Sequence, residues 1–203
     1  DAGRLSLSDA LPVRKADLVP YAPVTETRVG GNMTLDELCL AAIDMSDNVA
    51  ANILIGHLGG PEAVTQFFRS VGDPTSRLDR IEPKLNDFAS GDERDTTSPA
   101  AMSETLRALL LGDVLSPEAR GKLAEWMRPG GVTGALLRAE AEDAWLILDK
   151  SGSGSHTRNL VAVIQPEGGA PWIATMFISD TDAEFEVRNE ALKDLGRAVV
   201  AVV

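Results

Sequence analysis

Cys39 is the only cysteine in the chain and His57 and His156 are the only histidines, so these residues can build neither a disulfide framework nor a zinc cluster of usual form. Positive charge is also short. The 19 Lys and Arg face 31 Asp and Glu, and the formal net charge of -12 repels phosphate backbones and anionic lipid surfaces. No apolar run approaches the roughly 18 to 20 residues of a membrane span. Asp1-Ala2-Gly3 is not the charged and then hydrophobic opening of an export signal, so any such signal is expected outside these residues. Together these absences predict a soluble chain with no metal, no cofactor, no nucleic-acid partner and no membrane partner.

What is present suffices for one domain: 203 residues, 44% apolar and 25% charged, without an internal repeat. Thr34-Leu35-Asp36-Glu37 has capping-box spacing, and Leu35, Leu38, Cys39, Ala42 and Ile43 follow at helical intervals, which predicts a buried helix over 35–44. A second apolar set, Ala51, Ile53, Leu54 and Leu58, ends at Gly59-Gly60, and Pro61 opens a third helix towards Gly72. Ser98-Pro99 and Ser116-Pro117 read as cap and first turn of two more. The texture changes at Trp145: runs at 145–148, 160–164 and 172–178 are strand-like and imply an antiparallel meander. A closing helix, capped by Thr181 or Asp182, would lay Phe185, Val187, Leu192, Leu195 and Val199 on that sheet. The first thirty or so residues are less legible, because Pro12, Pro20 and Pro23 interrupt any regular element. The expected fold is α+β: a helical part over 1–142 and an antiparallel sheet with its helix over 143–203, in one structural unit.

Three constellations carry chemistry, each with a plainer alternative. Ser46-Asp47-Asn48 lies between two helices and is by itself a common cap and turn; alternatively, Ser46 relays a proton, Asn48 holds a carbonyl and Asp47 fixes the turn. Lys150-Ser151-Gly152 follows the strand of 145–149 and is either a solvated strand end or an anion clamp, in which Gly152 and Gly154 let a ligand approach the strand backbone closely. The segment 76–98 has neither helical nor strand periodicity, and a structureless loop of about 20 residues is uncommon without a function. Arg80 and Asp95 are placed to close it as a bidentate pair, and Glu82, held by Pro83, reads as a positioned general base.

In this order the three constellations resemble the serine β-lactamases of class A. The likeness runs from about Asp1 to the closing helix and includes Asp17-Leu18-Val19-Pro20-Tyr21, Glu37-Leu38-Cys39, Gly59-Gly60-Pro61 and Arg188-Asn189. It implies a three-layer architecture shared with penicillin-binding proteins, with 76–98 as an omega-type loop and a cis Glu82-Pro83 peptide. It assigns proton relay to Ser46 with Lys150, substrate amide contact to Asn48, and activation of the hydrolytic water to Glu82 with Asn86. Lys150, Ser151 and Arg158 would bind the substrate carboxylate, with Gly152 giving close access. Ser153 would lie near the oxyanion, and Tyr21 would form the aromatic wall at the pocket mouth. The hairpin before Arg158 is one residue shorter than the family pattern. The implied activity is hydrolysis of small-molecule β-lactam antibiotics, by a monomer, in the bacterial periplasm or outside the cell.

One departure is larger: the residues three before Lys15, Lys84, Lys122, Lys150 and Lys193 are Pro12, Ile81, Ala119, Ile147 and Glu190, so no Ser-x-x-Lys nucleophile motif is present. The resemblance places that motif upstream, with two strands and the nucleophile helix. The 203 residues alone are therefore expected to be inactive and poorly stable. A penicillin-binding DD-peptidase and a non-catalytic β-lactam-binding or complementing fragment are the alternatives. Cys39 reads as a small buried hydrophobe, although in some relatives the matching cysteine pairs with one on the nucleophile helix. His57 and His156 read as a helix end and a hairpin surface residue, without chemistry.

Overall fold

Reciprocal capping sets the first helix. Thr34 Oγ1 accepts from Glu37 N at 3.2 Å and Glu37 Oε2 accepts from Thr34 N at 2.8 Å, so α1 spans Leu35–Asp44 and buries Leu35, Leu38 and Ala41. The computed structural model describes residues 3–203; Asp1 and Ala2, where the likeness begins, lie outside the described residues. Asp47 caps α2 (Asn48–His57) through Ala50 N, and Pro61 opens α3 (Pro61–Ser70). Ser98 and Ser116 accept from Ala101 N and Ala119 N and start α4 (Pro99–Leu106) and α5 (Pro117–Met127). Beyond α4 the chain winds on as a π-helical turn, Arg107–Leu111.

The illegible front holds a small two-stranded sheet. Strand β1 (Ala10–Pro12) pairs antiparallel with β2 (Asn32–Thr34), with Leu11 opposite Met33, and this ladder leads the chain into α1. Pro12 falls at the strand's last residue, and Val13 and Met33 join Leu35, Leu38, Ala41 and Ala50 in one core cluster.

The main sheet has the order β3-β4-β5, formed by Leu146–Ser153, Arg158–Gln165 and Trp172–Ile178, all antiparallel. Alternate residues face opposite layers. Ile147, Leu160, Ala162, Ile164 and Met176 pack with Leu136 and Leu137, in the segment before β3, and with Leu192 of the closing helix, while Leu148 and Val163 pack with Leu106, Leu110 and Met127. Helices therefore cover both faces, in the α+β three-layer arrangement.

Two expectations are corrected. Strand β3 does not stop at residue 149 but runs on through Lys150, Ser151 and Gly152 to Ser153, which pairs with Arg158. The polar end stays in the ladder because β4 supplies the backbone bonds, while Thr133 and Arg138 satisfy the Asp149 side chain and Ser46 that of Lys150. The closing helix α6 spans Phe185–Val200 and starts after Glu184, not after Thr181 or Asp182, because Thr181 Oγ1 is used in a local turn with Ala183 N. Its buried face is Arg188, Leu192 and Gly196, whereas Phe185, Val187 and Leu195 are exposed. Gly196 allows this rotation: a Cβ there would come within 3.1 Å of Leu137 Cα.

Cys39 is half-buried, and burial first, then the Asp36 charge, pushes its thiol up to about 11. His57 ends α2 in solvent. His156 lies at the hairpin surface, partly covered, with Nδ1 3.1 Å from the Thr181 carbonyl and 3.3 Å from Asp182 Oδ1, and its ring 5.2 Å from that of Phe88. Among the described residues no helix is long and apolar enough to cross a membrane, and no group of three or more acidic, His or Cys side chains could hold a metal ion.

Candidate active site

A left-handed turn brings the first hydroxyl inward. Ser46, at φ 56, separates α1 from α2 and accepts a hydrogen bond from Lys150 Nζ at 2.9 Å. The same ammonium also donates to the Ser151 carbonyl. Asp47 is fully buried and is the acceptor for four donors: Val24 N, Thr25 N and Ala50 N at 2.9 Å, and Thr25 Oγ1 at 2.8 Å. Asn48 N reaches the Tyr21 carbonyl at 3.1 Å and Asn48 Nδ2 the Pro20 carbonyl at 2.8 Å, which leaves its carbonyl oxygen and one N–H for a ligand.

Arg80 and Asp95 do close the loop over 76–98, but the guanidinium is not bidentate on the carboxylate, because backbone N–H groups take the second oxygen. Arg80 Nε meets Asp95 Oδ2 at 2.5 Å, and Asp95 Oδ1 accepts the backbone N–H groups of Asp79 and Arg80 at 2.7 and 2.9 Å. Asp79 returns the contact to Asp95 N at 3.0 Å. The Glu82-Pro83 peptide is cis, as the resemblance implies. Asn52, on α2, then clamps Glu82 from outside the loop: its Oδ1 accepts from Glu82 N at 2.8 Å and its Nδ2 donates to Glu82 O at 2.9 Å. Glu82 Oε2 accepts from Asn86 Nδ2 at 2.6 Å. Burial pushes the Glu82 carboxyl above its ordinary range, against the pull of the Asn86 hydrogen bond and the Lys150 charge, with Asp95 adding to the rise.

Strand β3 contributes the cationic side. Behind Lys150, the buried Asp149 accepts from Thr133 Oγ1 at 2.7 Å and from Arg138 Nη2 at 2.9 Å, and Arg138 also holds the carbonyls of Met127 and Ile147. Burial lowers the Lys150 ammonium to about 8, helped by the Arg158 charge and opposed by Glu82 and Asp149. Arg158, 6% exposed, is held by neutral partners: Asn189 Oδ1 at 3.2 and 3.1 Å from Nε and Nη2, and the Gly152 carbonyl at 3.0 Å. Burial, then the Arg188 charge, lowers its pKa, but a guanidinium stays protonated. Among the described residues no carboxylate is hydrogen-bonded to either cation, and two such cations make a site for an anion.

A cavity of about 730 Å3 joins these pieces. Ser46, Asn48, Glu82, Asn86, Lys150, Ser151, Gly152, Ser153, Arg158 and Tyr21 all line it, so each residue expected in catalysis or substrate binding opens on the same space. Arg80, Asp95 and Pro83 stand outside that lining and shape the loop. Sequence reasoning missed Asn52, Asp149 with Arg138, Asn189 and Phe185. Asn52 had one usable signal: it lies one helical turn after Asn48 and is polar among Ala51, Ile53 and Leu54.

Gly154 does not open on the cavity as Gly152 does but seals the loop against the sheet, since a Cβ there would lie 2.9 Å from the Asn86 carbonyl oxygen and 2.8 Å from Thr157 Oγ1. In Gly154→Ala the backbone around Asn86 has to move, at a cost of about 1 to 3 kcal/mol. A lowered Tm and faster hydrogen exchange across 82–88 are expected; an unchanged Tm would show that the hairpin yields instead.

The sequence profile of the beta-lactamase enzyme family matches residues 1–203. Beta-lactamase CARB-4 of Pseudomonas aeruginosa is 44% identical over 203 residues, covering 100% of this chain and 70% of that protein. Beta-lactamase L2 of Stenotrophomonas maltophilia is 48% identical over 193 residues, covering 94% of this chain and 64% of that protein. Among solved structures, an ancestral (GNCA) class A beta-lactamase superposes with a TM-score of 0.94 at 48% identity, over 98% of this chain and 76% of that one.

Proposed function

The chain belongs to the class A branch of the beta-lactamase enzyme family, and from that premise we propose that it supplies most of the active site of a β-lactam hydrolase acting through a serine acyl-enzyme. The observation that carries the reading is the placement of Glu82, half-buried and hydrogen-bonded to Asn86, in the same cavity as the Ser46–Lys150 pair and Arg158. A base for water and a clamp for a carboxylate are the two things β-lactam hydrolysis asks of these residues.

The substrate carboxylate pairs with Arg158, Lys150 and the Ser151 hydroxyl, and its amide side chain meets Asn48. No serine stands three residues before a lysine, so in this reading the attacking hydroxyl comes from outside these residues. A base, either the lysine of the upstream motif or Glu82 through a water, takes the hydroxyl's proton and passes it on to Lys150, while the hydroxyl oxygen bonds to the lactam carbonyl carbon and the carbon–nitrogen bond breaks. The nitrogen receives a proton from the Ser46 hydroxyl, which Lys150 replenishes. Glu82 then takes a proton from water, the hydroxide attacks the ester carbonyl, and the serine leaves with a proton returned through Glu82. The loop bearing Glu82 favours this over a DD-peptidase, which keeps its acyl-enzyme for an amine acceptor. A monomer acting in the periplasm or outside the cell, and conferring antibiotic resistance, completes the proposal.

The test is a pH profile of penicillin hydrolysis by the intact protein that contains these residues. Protonation silences Glu82, and its raised pKa places the acid limb at higher pH than for a free carboxylate. Lys150 loses its charge as pH rises through about 8, so kcat/KM falls again on the alkaline side. In Lys150→Arg the anion clamp stays charged, so the alkaline limb disappears from the activity that remains, while the rate falls because a guanidinium gives no proton to Ser46. A profile with neither limb, or absence of hydrolysis, removes the assignment. Intact-mass measurement of the intact protein with a penicillin separates the two readings: a covalent adduct with turnover is expected if another segment supplies the serine, and no adduct if the domain only binds.

A further inference from the structure

The first residue of α6 places a large ring where no core requires one. Phe185 is 44% exposed, lines the same cavity as Lys150 and Ser151, and lies over the Arg158 guanidinium with 5.4 Å between its ring centroid and Cζ. Its position is not accidental fraying, because Arg188, one turn on, is buried and donates to the carbonyls of Gly154 and Thr157 at 2.8 Å each. That contact ties the start of α6 to the β3–β4 hairpin, and Asn189 ties it to Arg158 itself. The ring is thus held beside the anion-binding end of the cavity, apart from the three core clusters.

We propose that Phe185 is a specificity-determining residue whose ring, stacked on Arg158, selects flat unsaturated substituents next to the substrate carboxylate. The inference rests on the carboxylate clamp of the proposed function and deepens it. In a cephem the ring carbon bearing the carboxylate is bonded to the carbon that bears the C3 substituent, so a carboxylate on Arg158 puts that substituent beside the clamp. A penam has two methyl groups there instead. An aromatic C3 group gains offset or edge contact with the Phe185 ring, whereas a methyl group gains only its small apolar area. Tyr21, the other aromatic residue in the lining, is the expected wall for the acyl side chain, so two rings would read two ends of the substrate.

The experiment uses the intact protein and two cephems with the same acyl side chain, one carrying a C3 arylmethyl group and the other a C3 methyl. The parent is expected to prefer the aryl compound through KM, and Phe185→Leu to reduce that preference by about fivefold with no matching change in the kcat ratio. Phe185→Tyr keeps the ring and is expected to restore the preference. An unchanged ratio in Phe185→Leu overturns the proposal, as does a loss that Phe185→Tyr fails to restore. Should the parent hydrolyse neither cephem, the clamp-and-base reading fails by itself. The dissociation constants of the same two compounds for parent and Phe185→Leu, by titration calorimetry, then decide the aromatic preference by the same ratio.

Discussion

Glu82→Gln in the intact protein is expected to stop turnover while leaving the acyl-enzyme to form and accumulate. Glutamine keeps the shape and can still accept from Asn86 Nδ2, which now stands 2.6 Å from the carboxylate, but it cannot take a proton from water. Removal of a positioned general base lowers rates by roughly 10²- to 10⁴-fold, so kcat should fall by about 10³-fold. Stopped-flow absorbance should show a burst of one β-lactam per site followed by a near-flat phase, and intact-mass spectra should show the adduct persisting. Stability separates this outcome from misfolding. Burial is the first cause of the raised Glu82 pKa, so the native state destabilises that charge and the variant should melt no lower than the parent. Rapid continuing turnover in Glu82→Gln would take the water-activating role away from residue 82.

Asp47→Ala is expected to produce the largest loss of stability of any single change in the 46–48 turn. The side chain is fully buried and satisfies the N–H groups of Val24, Thr25 and Ala50 and the Thr25 hydroxyl. Truncation leaves those donors without an acceptor and removes the cap of α2, and each buried unsatisfied donor costs about 1 to 3 kcal/mol. A total of roughly 3 to 5 kcal/mol is expected, or a fall in Tm on the order of 10 °C for a chain of this size. Asp47→Asn, which keeps one acceptor oxygen, should fall between. Denaturant titration of the intact variants reads both, and an Asp47→Ala variant within about 1 kcal/mol of the parent would show that water replaces the carboxylate. The site would loosen with the fold, because Asp47 joins Ser46 and Asn48 to the segment carrying Pro20 and Tyr21.

Legibility followed the sequence separation of the partners. Thr34 with Glu37, Ser98 with Ala101 and Ser116 with Ala119 close their hydrogen bonds within three residues, so the starts of α1, α4 and α5 could be read directly. Arg80 and Asp95 are further apart, but opposite charges at the two ends of an aperiodic segment left one sensible pairing. The β1–β2 ladder was not legible, because a proline ends β1 and its partner strand lies some twenty residues away. Polar residues from Asp149 onward looked like the end of a strand, since nothing local revealed that Thr133, Arg138 and Ser46 would satisfy them. The buried face of α6 depended on how closely Gly196 lets the helix approach Leu137.

By itself the sequence determined which functional groups this protein owns: one loop carboxylate beside a proline, a Ser-Asp-Asn turn, a lysine followed by serine and glycine, and their order along the chain. Identity and order suffice for that, because the chemistry of a side chain travels with the residue. Tertiary structure alone decided what those groups are like. It half-buried Glu82 and raised its pKa, brought Lys150 to Ser46 and lowered its ammonium to about 8, surrounded Arg158 with neutral partners and laid Phe185 over it. Desolvation and Coulomb energy belong to a group's surroundings, and those are assembled from segments that the chain keeps far apart until it folds.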